Sequence, residues 1–95
     1  MTTALIQKLR SRAARARRQT RTSQLGANLK AIRARSGFTQ TAVAEICDCT
    51  SQYISDIECG RIPSLRILAL IAIALDSSVA ELLENVDAEE LLTAE

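Results

Sequence analysis

From Ser23 onward, apolar side chains recur at helical spacing and are punctuated by residues that start and stop helices. Leu25, Leu29 and Ile32 fall at i, i+4 and i+7 behind Ser23, a good N-cap. Gly37 suits a left-handed stop to this helix. Thr39 caps a second, short helix with Val43, Ala44 and Cys47 on its inner face. After a turn at Asp48–Cys49, Thr50 caps a third helix that runs to Cys59 and stops at Gly60. Pro63 and Ser64 open a fourth, Leu65–Leu75, and Ser78 with Glu81 forms a capping box for a fifth, Val79–Glu84. Asp87 with Glu90 starts a further short turn of helix through Leu92. No alternation of strand length occurs, so the pattern predicts an all-α fold.

The first 22 residues differ in kind. They are rich in Ala and Arg, and Leu5, Leu9, Ala13 and Ala16 make a thin stripe at helical spacing. Seven positive charges between Lys8 and Arg21 oppose a stable lone helix. Three readings follow: an arm that follows a polyanion, an extra helix packed on the body, or a solubility tail. The chain therefore divides into a basic arm or extra helix at 1–22, a helical domain at 23–86, and an acidic tail or short helix at 87–95.

Charge sharpens that division. The net charge is only +1, yet residues 1–44 carry ten basic and no acidic side chains, while residues 76–95 carry seven acidic and no basic ones. Such poles suit a molecule that offers one end to a polyanion. Absence of His excludes a His-based triad or a His-ligated metal site, and no nucleophile has a base beside it, so an enzyme is not expected. The odd count of three cysteines, with no apolar leader, points to reduced thiols in a cytoplasmic protein. Ile67–Leu75 is far shorter than the ~20 residues of a membrane span.

The second and third helices can be read as a helix-turn-helix pair at about 40–59. Ala44 allows close approach where the two cross, Ile54 and Ile57 face inward, and Asp48 tolerates the positive φ that the turn requires. Ser51, Gln52, Ser55, Asp56 and Cys59 share the opposite face of the third helix. Short polar side chains of this kind can enter a major groove and address base edges.

Leu25–Leu83 resembles the lambda-repressor and Cro family of helix-turn-helix proteins, often called the Xre family. The resemblance rests on Leu29 through Gly37, Thr39-Gln40, Ala44-Glu45, Tyr53-Ile54-Ser55, Ile57-Glu58, Gly60, Pro63 and Ala74-Leu75, in that order. It implies a compact five-helix lambda-repressor-like bundle with an N-terminal basic extension. By the same resemblance, Ser51, Gln52, Ser55 and Asp56 read bases, with Gln52 suited to adenine. The resemblance likewise implies phosphate contacts by Thr39, Gln40, Thr50, Tyr53 and Arg61; from its charge alone, the arm is expected to add Arg15, Arg17, Arg18 and Arg21. Arg33 and Glu58 match a structural pair. Cys47 and Cys49 match core positions, so neither a metal nor another cofactor is expected. The chain departs from the family pattern at Asp48, at Cys59, and at Leu70 and Ile73, which stand where polar surface is usual.

The implied function is a sequence-specific transcriptional regulator, a repressor or controller, acting on double-stranded DNA in the cytoplasm in association with the nucleoid. Leu70, Ile73, Leu82, Leu83 and Val86 need cover, and a homodimer reading two half-sites is the simplest expectation, the alternative being the N-terminal helix folded back over them. The restriction–modification controllers and the phage-type repressors share this pattern. The competing reading is an antitoxin-type interaction module that binds a toxin and regulates its own operon.

Overall fold

The computed structural model describes residues 2–10 and 23–92, and among them all regular structure is helical. Helix α1 occupies residues 3–10. The body comprises α2 (Gln24–Ser36), α3 (Gln40–Ile46), α4 (Ser51–Glu58), α5 (Leu65–Ala74), α6 (Val79–Leu82) and α7 (Ala88–Leu92). The described residues thus hold seven helical segments where the resemblance implies a bundle of five. The arginines Arg15, Arg17, Arg18 and Arg21 lie outside the described residues.

Local chemistry starts each of the five central helices in the same way. The hydroxyls of Ser23, Thr39, Thr50, Ser64 and Ser78 accept from the backbone N–H of Gly26, Ala42, Tyr53, Ile67 and Glu81 respectively. Each cap satisfies one of the orphan donors at a helix start. The expected box at Ser78 is only half made, because the Glu81 carboxylate accepts from Arg35 Nη2 at 2.8 Å. Endings are as uniform as starts. Gly37, Asp48, Gly60, Asp76 and Asn85 all take positive φ just past a helix. At Asp48 (φ 54°) the following N–H, on Cys49, returns to Ala44 O at 2.9 Å and closes the turn.

Packing follows from the apolar faces so aligned. Helix α3 lies chiefly on α4 and also meets α5; α2 crosses α4 and touches α6. Leu25, Leu29, Val43, Cys47, Ile54, Ile57, Ile71 and Leu82 are the largest fully enclosed side chains. Leu82 is therefore a core residue and is removed from the expected dimer face. Leu70, Leu83 and Val86 are half-buried against the same core. Ile73, by contrast, is 75% exposed and Leu65 80% exposed on α5.

Three long-range contacts fix the first turns of α2. Gly26 presses on the backbone of Glu58, where a β-carbon would lie 2.8 Å from Ile57 O. The Glu90 carboxylate of α7 accepts from the N–H groups of Gln24 and Leu25 and from Ser23 Oγ, at 2.9, 2.9 and 3.0 Å. A carboxylate at a helix N-terminus is well placed electrostatically. Asn28 Nδ2 donates to the carbonyls of Leu82 and Glu84, tying the end of α6 to α2.

Candidate nucleic-acid interface

The outer face of α4 is set by what lies behind it. Ile54 and Ile57 are fully buried, which turns Ser51, Gln52, Ser55, Asp56 and Cys59 outward. Ser51, Gln52 and Cys59 are exposed, or nearly so, and Ser55 and Asp56 are half-exposed. The structure thus brings all four expected base readers onto one continuous surface.

Those side chains are not independent. Gln52 Nε2 donates to Asp56 Oδ1 at 2.8 Å, one helical turn on. Asp56 Oδ2 faces Arg61 Nη1 at 3.6 Å, and the Arg61 guanidinium lies over the Tyr53 ring, 4.5 Å from its centroid. Tyr53, Asp56 and Arg61 therefore form one linked group at the end of the polar face. The i, i+4 spacing of Gln52 and Asp56 is visible in the sequence. The return of Arg61 is not, because it depends on the turn at Gly60.

Of the expected phosphate contacts, Thr39, Thr50 and Arg61 are exposed and Tyr53 half-exposed. The threonine oxygens accept from the helix backbone, and each hydroxyl keeps its proton to donate. Gln40 differs from expectation in one respect. Its Nε2 donates to Glu58 Oε1 at 3.1 Å, so part of its amide is taken within the fold.

Behind this surface lies the Arg33–Glu58 pair. Arg33 Nε and Nη2 donate to the two Glu58 oxygens at 2.6 and 3.1 Å, and Nη1 donates to Phe38 O at 2.9 Å. The side chains are 15% and 5% exposed. The hydrogen bond to Glu58 outweighs burial and holds the guanidinium pKa above its ordinary value. One guanidinium thus locks α2, the loop after it, and the end of α4. Gln40 adds the start of α3 to the same carboxylate.

The thiols occupy different settings. Cys47 is buried, Cys49 half-buried and Cys59 exposed, and all three are free. Burial pushes the Cys47 thiol pKa up, with a smaller push from Cys49; burial also raises Cys49, helped by Asp48. Among the described residues no cluster of His, Cys, Asp or Glu is arranged to hold a metal. Nor, among them, is any helix long and apolar enough to cross a membrane.

The model of a helix-turn-helix domain family matches residues 24–84, spanning α2 through α6 and well over half of the chain. The chain belongs to this helix-turn-helix domain family, which supports a DNA-binding regulator. No curated protein matches it.

Proposed function

We propose that the chain is a sequence-specific transcriptional regulator of the lambda-repressor and Cro branch, with α4 seated in the major groove. One observation carries the reading: a polar, groove-sized face on α4, backed by two buried isoleucines. Ser51, Gln52 and Ser55 address bases, while Thr39, Thr50, Tyr53 and Arg61 position the helix against phosphates. The Arg33–Glu58 pair is structural. The five central helices act as the lambda-repressor-like unit, and the protein works as a cytoplasmic, nucleoid-associated repressor or controller.

The functional form is a homodimer on a palindromic operator. Ile73 supports this, with Leu65 and half-buried Leu70 on the same outward arc of α5. Two copies related by a two-fold axis would cover that arc and place two α4 helices on successive half-sites.

Selection of bound sequences from a random DNA pool tests the whole reading. A two-fold symmetric consensus is expected, and Gln52→Ala should lose preference at one position in each half. Recovery of no consensus, or equal weakening of Gln52→Ala on selected and random DNA, would overturn it.

A further inference from the structure

We propose that Asp56 is a positioning residue that presets the Gln52 amide for adenine and against guanine, an inference that rests on the α4 reading above. The bond from Gln52 Nε2 to Asp56 Oδ1 has only one chemically sound orientation. A carboxylate can only accept, so the amide nitrogen must face Asp56 and Oε1 must face away. A bidentate pair with adenine uses Oε1, accepting from N6, and a single N–H, donating to N7. The second N–H is surplus to that pair, and the bond to Asp56 employs it.

Guanine offers two acceptors, O6 and N7, at the same edge. The preset amide would bring Oε1 against O6, acceptor against acceptor. Presenting both N–H groups to guanine requires breaking the bond to Asp56. The penalty on guanine therefore comes from a residue that need not touch the base.

Asp56 is itself held from behind. Its second oxygen faces Arg61 at 3.6 Å, and Arg61 is laid over Tyr53 at 4.5 Å. A carboxylate facing phosphates also lowers affinity for any DNA. Asp56 thus exchanges general affinity for discrimination, and the two effects separate in a single variant.

The test uses the full chain and the consensus it selects. The position where Gln52→Ala abolishes preference is changed from A·T to G·C, and binding to both sites and to random DNA is titrated for wild type, Asp56→Ala and Asp56→Glu. Wild type is expected to prefer adenine by roughly tenfold or more. Asp56→Ala should shrink that preference to about threefold or less while binding random DNA more tightly. Asp56→Glu keeps an acceptor within reach at i+4 and should restore most of the preference. Thermal unfolding of each variant checks that the fold is retained, and Asp56→Glu gives an independent answer if Asp56→Ala is damaged. A full preference in Asp56→Ala, or a loss in Asp56→Glu as great as in Asp56→Ala, overturns the proposal while leaving base reading by Gln52 intact. Indifference of every base preference to Gln52→Ala overturns the base-reading assignment and this proposal with it.

Discussion

A side chain on Gly26 would begin where the Glu58 backbone carbonyl already lies. The φ of Gly26 is ordinary for a helix; what the position lacks is space. Gly26→Ala should therefore destabilise the fold by roughly 1–3 kcal/mol through overpacking. That would reverse the ~1 kcal/mol that alanine ordinarily gains in a helix interior. Urea unfolding decides between the two signs.

Arg33 and Glu58 are the charged counterpart of that contact. Glu58→Ala leaves a nearly enclosed guanidinium without its carboxylate and should cost about 3 kcal/mol or more. The paired change Arg33→Met with Glu58→Leu should recover most of it, since neither charge is then stranded. Chemical denaturation of the two variants, compared as a cycle, measures the difference.

The proposed dimer places its demand on α5. Ile73→Lys should leave the helical content of the monomer unchanged, because the side chain is already in water. It should shift sedimentation toward the monomer and weaken operator binding by about tenfold or more, reflecting a charge placed in an apolar contact. An unchanged dimer would move the interface elsewhere.

The thiols predict both reactivity and an alkaline limit. In the folded protein Cys59 should be alkylated first and Cys47 last, following their exposure. Both Cys47 and Cys49 have pKa values raised in the folded state above the ordinary thiol value of 9.0. Above that value the unfolded chain releases thiol protons that the folded chain retains. The associated stability is therefore present below pH 9 and is lost as pH rises further. Denaturation midpoints across that range should fall less steeply for Cys47→Ala than for wild type.

For the basic segment the measurable quantity is the salt slope. Deleting residues 1–22 should flatten log K against log salt by about 0.9 for each phosphate that the segment neutralises. Roughly three or four phosphates per subunit are expected, about half the number of charges available. Base preference should survive, because the proposed base readers lie on α4.

The features legible in the sequence are those whose chemistry is local. Serine and threonine caps, the left-handed stop at Gly37 and the positive φ of Asp48 each depend on a few neighbouring residues. The polar face of α4 is legible for the same reason, since helical spacing alone groups Ser51, Gln52, Ser55 and Asp56. Long-range packing is not. Leu82 reads as part of a dimer face because α6 is a single turn, too short for its periodicity to show which side meets the core. Glu81 completes a local motif on paper, but Arg35 of α2 reaches its carboxylate instead. Glu90 reads, with Asp87, as the start of its own short helix, and only the folded chain brings it to residues 23–25.

The Glu90 clasp has a geometric consequence for the two charged ends of the chain. In sequence they are poles. In space, the point where the basic segment joins the body, Ser23, sits a single hydrogen bond from the acidic helix α7. Both therefore share one anchorage, the Glu90 carboxylate at the first residues of the body. Removing α7 would strip the start of α2 of its carboxylate, at the residue from which the basic segment departs.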